Sequence, residues 1–187
     1  MAQNKRALSA NLTSQSMKKL VEELQAYAKM LQAKTELFVQ ELADAGIPVI
    51  ERNVNAAKYT YSDYDGITVR SGSDTAHSTH VEIETNGRKS TAYLVLRGEE
   101  ILFIEFGSGV HYNTPAGSSP HPKGEQFGYT IGSYGLGRGK NEYWSFEDDS
   151  GDFVFSHGTK ATMPMYKAEQ KIIKNYVSIA KRVFGGG

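Results

Sequence analysis

Between Ser16 and Ala45 one series of positions advances in alternating steps of three and four: Val21, Leu24, Ala28, Leu31, Thr35, Phe38 and Leu42. Such steps hold side chains on one face of a helix, and three repeats of them make a seam of the coiled-coil kind. Thr13, Ser14 and Ser16 are candidate N-caps. Gly46 stands where a left-handed glycine would close the helix, and Pro48 follows it. At 1.5 Å per residue the predicted helix is about 45 Å long. The chain has 187 residues, which suits one ordinary domain, and such a domain has difficulty burying so long a seam alone. Two expectations follow: an amphipathic helix lying along its own sheet, or a helix whose seam packs partly on another subunit.

The rest of the chain reads as a mixture of strands and helices. Pro48–Ala57 places Ile50, Val54 and Ala57 on one helical face. Asp65–Gly66, between Tyr59–Tyr64 and Ile67–Arg70, is a weak hairpin signal. Asn86–Gly87 is the strongest local signal, since both residues tolerate the positive φ of a type I′ turn and β-type runs flank them. A two-residue loop there pairs Glu84 with Lys89 and puts Val81, Ile83, Ala92, Leu94 and Leu96 on one buried face. Glu99–Glu100 introduces a short helix at Ile101–Phe106, with acids at its positive end. Asp152–His157 is a final strand. Thr162 is the predicted cap of a last helix, 162–184, with Pro164 in its first turn. Met165, Ile172, Tyr176, Ile179 and Val183 form one apolar side of that helix, which Ile173, Val177, Ala180 and Phe184 widen.

The segment from Gly107 to Gly151 is different. It holds ten glycines in 45 residues, with Tyr112, Phe127, Tyr129, Tyr134, Tyr143, Trp144 and Phe146 spread among them. So long a stretch without regular structure is usually functional. Its aromatic content suits an extended arm that orders against a partner.

Composition excludes several chemistries. There is no cysteine, hence no disulfide framework, Cys-ligated metal or thiol nucleophile. Lysine plus arginine and aspartate plus glutamate each total 21, a net charge of zero, without the basic excess expected of a protein that grips nucleic acid. No apolar run approaches a membrane span, and Met1–Leu12 lacks the apolar core of a secretory signal. The charges are nevertheless segregated: residues 1–60 carry +2, 61–100 carry −3, 101–150 carry −3 and 151–187 carry +4. Two solvated helices around a polar sheet would give this pattern. So would a subunit whose basic ends meet the acidic middle of a neighbour.

Catalytic patterns fail one by one. His77, His80, His111, His121 and His157 include no H-E-x-x-H, and surface loops are their expected place. Gly132–Lys140 misses the phosphate-binding loop pattern at Tyr134 and Asn141. No G-x-S-x-G elbow occurs. The expected inventory is no catalytic residue, no cofactor and no metal.

Four pieces in order carry a family resemblance: Phe103-Ile-Glu-Phe-Gly-Ser-Gly109 after a hairpin, Ser119-Pro-His-Pro-Lys-Gly124, Tyr129-Thr-Ile-Gly-Ser-Tyr-Gly135, and Gly158-Thr-Lys-Ala-Thr-Met-Pro-Met-Tyr-Lys-Ala168. Together, over about Asn53 to Ala168, they resemble the neck or tail-completion proteins of long-tailed bacteriophages, also described as minor tail components or head–tail connector proteins. The resemblance implies an α+β fold, a small antiparallel sheet packed by a long N-terminal and a C-terminal helix in a single domain. It implies a structural virion protein, made in the host bacterial cytoplasm, that forms a homo-oligomeric ring. A portal, adaptor or head-closure protein would lie on one side, and a tail terminator or the tail tube on the other. DNA would pass through without sequence-specific binding, and no membrane is involved. Phe106, Gly107 and Gly109 would shape the turn after the short helix, and Met163, Pro164 and Met165 would start the closing helix. The candidate partner contacts are Val21, Leu24, Leu31 and Phe38 on the long helix, and Tyr112, Phe127, Tyr129, Tyr134, Tyr143 and Trp144 on the arm. The alternatives are another ring subunit, a tail terminator or head-closure protein, and a phage-borne metal-dependent hydrolase using His111 and His121.

Overall fold

The structure, a computed structural model, describes residues 13–63, 66–71, 76–87, 89–108, 119–129, 143–147 and 150–185. It is α+β. Helix α1 spans Ser14–Asp44 and α2 Ile47–Asn55. Strands β1 (Lys58–Asp63), β2 (Gly66–Ser71), β3 (His77–Asn86) and β4 (Lys89–Gly98) follow. Next come α3 (Ile101–Phe106), β5 (Trp144–Glu147), β6 (Phe153–Thr159) and α4 (Pro164–Gly185). The chain divides into two compact units. One comprises Ala45–His80 and Leu94–Lys171. The other comprises Met1–Asp44, Val81–Tyr93 and Ile172–Gly187. β3, β4 and α4 thus each give residues to both.

The first unit has a closed apolar core. Ile50, Val54 and Ala57, spaced four and three apart, are fully buried and meet Ile101, Ile104 and Ala168, with Val49, Leu94, Leu96 and Met165 packed around them. Burying a side chain of this size stabilises by roughly 2 kcal/mol. The unit's four-stranded antiparallel sheet has the order β2-β1-β6-β5. β1 and β2 close with Asp63 opposite Gly66, so the connecting pair is 64–65, outside the described residues, and Gly66 is a strand residue rather than a turn residue. The β1–β6 register shifts between Tyr59 and Tyr61. Gly158, at φ +101°, sits in that irregularity with a conformation that other residues avoid. At the end of β4 a side chain on Gly98 would come 2.9 Å from the Ala76 carbonyl oxygen, which only glycine tolerates.

The Asn86–Gly87 signal marks the right hairpin one position off. β3 runs through Asn86 and β4 begins at Lys89, so Gly87, at φ +58°, opens the loop. The Thr85 hydroxyl accordingly meets Ser90, and Glu84 accepts from the Tyr93 hydroxyl rather than facing Lys89. A glycine in the first loop position accepts positive φ more cheaply than Asn86 does, and that fixes the slide.

The second unit combines α1, the outer part of this hairpin and the last two-thirds of α4. The Thr13 hydroxyl accepts the Ser16 N–H and caps α1. Gly46 is not a left-handed stop. Its φ is −82°, and its carbonyl starts α2 by accepting from Val49 and Ile50. Phe38 and Phe184 pack ring against ring with centroids 5.5 Å apart, and Arg182 donates to Glu41. Position 38 meets 184 and 41 meets 182, so the two helices run antiparallel and overlap only at the C-terminal ends of both.

Candidate functional site

Two features stand out, a buried polar clasp in the first unit and a bare apolar seam in the second. The clasp begins with a helix that cannot cap itself. Position 163, just before α4, is a methionine at φ +55°, the one non-glycine residue at positive φ among the described residues. It has no side-chain oxygen to offer the first N–H groups of the helix. The predicted cap, Thr162, is occupied elsewhere, donating to the Asn53 carbonyl oxygen at 2.7 Å. Glu105 of α3 supplies the cap instead. Its Oε2 accepts the Met165 N–H at 2.8 Å and its Oε1 the Tyr166 N–H at 2.9 Å. The carboxylate also meets the positive end of the α4 dipole.

The same carboxylate holds the segment 119–129. His121 Nε2 lies 3.0 Å from Glu105 Oε1, and the Lys123 backbone N–H donates to His121 Nδ1 at 3.0 Å. With Nδ1 accepting, the ring proton sits on Nε2 and is donated to Glu105, so the tautomer follows from the geometry. Both side chains are buried. Around them Tyr129 stacks on Phe106 with centroids 4.0 Å apart, His121 lies against Phe106 and edge-on to Tyr166, and the Ser119 hydroxyl donates to the Phe106 carbonyl oxygen. Lys123 reaches Glu169 on α4. Gly107, at φ +76°, turns the chain so that Ser108 can exchange backbone hydrogen bonds with Thr159. Three stretches spaced along the sequence, Phe103–Ser108, Ser119–Tyr129 and Gly158–Ala168, thus interlock around one carboxylate. Every polar atom of the pair has a partner, which is the arrangement that makes a buried polar group stabilising.

The sequence-level arm therefore contains folded pieces. Ser119–Tyr129 is built into the clasp, and β5 pairs with β6, Trp144 opposite Ser156. Tyr129, expected at a partner, packs internally. Phe127 and Tyr143 are exposed, with Tyr143 edge-on to Phe155. Tyr112, Tyr134, Gly109 and His111 lie outside the described residues. Phe38 also packs within its own chain, on Phe184.

Three of the described histidines are hydrogen-bonded into the fold rather than lying as surface groups in loops. His121 is in the clasp, and His157 shares a 2.7 Å hydrogen bond with Ser62. His77 lies 3.1 Å from Glu51 Oε2. The Glu51 carboxyl is held below its ordinary range first by the nearby Thr79 hydroxyl, then by His77, against the opposing effect of burial. Thr79 Oγ1 nevertheless has no partner in full hydrogen-bond geometry, so its approach to Glu51 is a polar contact and not a formed bond. The Ser62–His157 pair has the reach of a nucleophile and its base, but among the described residues no carboxylate orients the imidazole. Nor do three His, Asp or Glu side chains gather as metal ligands among the described residues.

The bare seam is the N-terminal part of α1. Only Ala43 is buried along the whole helix. Met17, Val21, Leu24, Tyr27, Met30 and Leu31 are all exposed, Val21 and Leu24 by nearly half (48% and 47%). Thr35, Phe38 and Leu42, the continuation of the same seam, are half-buried. Among the described residues of the unit the buried apolar ones are Ala43, Ile179 and Val183, while Ile83, Tyr93, Ile173, Tyr176 and Val177 add to the exposed set. Among the described residues no helix is long and apolar enough to cross a membrane. The chain matches no protein-family model, no curated protein and no solved structure.

Proposed function

We propose that this chain is a structural virion protein of the phage head–tail junction, a subunit that assembles with its own copies into a ring between the connector and the tail tube. The observation that carries the assembly reading is the exposed seam. A 31-residue helix keeps the apolar side chains of its N-terminal half in water, where isolated helices gain little from propensity alone. Contiguous exposed apolar surface of this kind marks an interaction site. The virion reading rests on the resemblance of the four motif pieces. The clasp supports it by giving those pieces a shared physical purpose: Glu105 and Phe106 from the first, His121 from the second, Tyr129 from the third and the helix start from the fourth. The proposed role needs no catalysis or cofactor. Head-closure or tail-terminator subunits share these requirements and differ only in position.

The test is imaging. Electron microscopy of the purified chain, alone and with portal-containing particles, should show rings, and virions should carry the protein at the junction. Absence from particles would overturn the virion reading. A single-chain species at all concentrations, alone and on particles, would overturn assembly.

A further inference from the structure

The antiparallel overlap of α1 and α4 is staggered, and the stagger leaves two complementary half-seams. α4 ends at Gly185, opposite about Phe38, so nothing of α4 remains to cover Val21, Leu24, Ala28 and Leu31. In the other direction α1 ends at Asp44, opposite about Ile179, so α4 positions before it have no α1 residue across from them. The α4 positions that extend the Phe184 face, Ala180, Val177 and Ile173, recur at four, three and four residues, the same rhythm as α1. Ile173 is 54% and Val177 46% exposed.

We infer that the contact between copies is heterologous: the bare half of α1 from one subunit packs antiparallel on the Ile173–Val177 face of α4 in the next. This rests on the self-assembly reading above and specifies its interface. The occupant is a second copy because the intrachain contact already displays the required packing, α1 seam on α4 seam, and the open half-seams continue it in both directions. Within the chain a cation of α4, Arg182, pairs with an acid of α1, Glu41. The open half of α1 carries Lys18, Lys19, Lys29 and Lys34 as well as Glu22 and Glu23, so it is the continuity of the seams, and not net charge, that selects the occupant. Two different surfaces on each subunit propagate a contact head to tail, which a ring requires and a two-fold dimer does not.

Complementation tests this on the full chain. Leu24→Glu with Leu31→Glu spoils only the α1 face, and Ile173→Glu with Val177→Glu only the α4 face. Each double variant should stay a single chain in light scattering. Their equimolar mixture should double the mass, because each variant retains the surface the other lacks. In case a double variant loses its fold, the absence of native cysteine allows a milder probe. A mixture of Leu24→Cys and Val177→Cys chains should form intermolecular disulfides, and either alone far fewer. Wild-type assembly that survives the α4 substitutions, or Leu24→Cys chains that cross-link best with themselves, would overturn the heterologous contact and leave self-assembly standing. A wild type that never assembles would overturn both.

Discussion

The two units answer the same problem, covering apolar surface, in opposite ways. The unit built on α2, α3 and the four-stranded sheet closes on itself: Ile50, Val54, Ala57, Ile104 and Ala168 have no measurable contact with water or almost none. Its one buried carboxylate among the described residues, Glu105, is shared between a helix start and a histidine. The unit built on α1, the hairpin tip and the end of α4 buries Ala43, Ile179 and Val183, and leaves whole stripes of larger side chains bare. A closed core stores stability. An open one stores affinity, since the free energy of covering it is released on assembly.

Substitutions in the two units should therefore have opposite signatures. The largest loss of stability is expected at Glu105. Glu105→Ala strands the His121 N–H and two helix N–H groups in a buried site and should cost roughly 3–5 kcal/mol. For a chain of this length that lowers the melting temperature by on the order of 10 °C, and thermal unfolding followed by circular dichroism would show it. If Glu105→Ala melts like wild type, the clasp is not what holds α4 to α3. Ile104→Ala, a fully buried truncation in the same unit, should cost about 3 kcal/mol through the cavity it leaves. By contrast, Leu24→Glu should shift the melting of the dissociated chain by no more than about 0.5 kcal/mol, the range of surface positions, while weakening assembly.

The smallest effect concerns acid. Glu51 has a lowered pKa in the folded chain. A depressed carboxyl contributes stability that is fully present above its unfolded pKa and is lost as pH falls through the folded value. The contribution should therefore fade below about pH 4.5, the ordinary value for glutamate. Glu51→Gln should flatten that part of the pH–stability curve. The side chain is 39% exposed, so solvent screening keeps the change small. An unchanged acid limb in the variant would remove Glu51 from the balance.

Much of this architecture is legible in the residues. The three-four rhythm of α1, the face Ile50–Val54–Ala57 and the breaks at Gly46, Gly87 and Gly107 place the helices and strands because these are local signals, set by sterics and spacing. The hairpin register differs from the sequence reading by one position because either Asn86 or Gly87 can open such a turn, and Gly87 takes the positive φ of the first loop position, which sets Thr85 against Ser90. The clasp was not legible as such. Thr162 has the chemistry of a cap, and only the fold reveals that Asn53 engages it while Glu105 arrives from 60 residues away. One clue was present: Glu105 follows Ile101 by one helical turn and Ile104 by one residue, a carboxylate on an inward face. Ser119–Tyr129 read as arm because glycine and proline mask the packing of His121 and Tyr129 on Phe106.

The dissociation of copies through the α1 seam is the quantity to measure. Light scattering of the wild-type chain over a range of concentrations should give masses at multiples of 20.6 kDa, and Leu24→Glu with Leu31→Glu should bring them back to that value. A wild type that stays at 20.6 kDa throughout, with its exposed seam unchanged, would contradict the assignment of that seam to neighbouring copies.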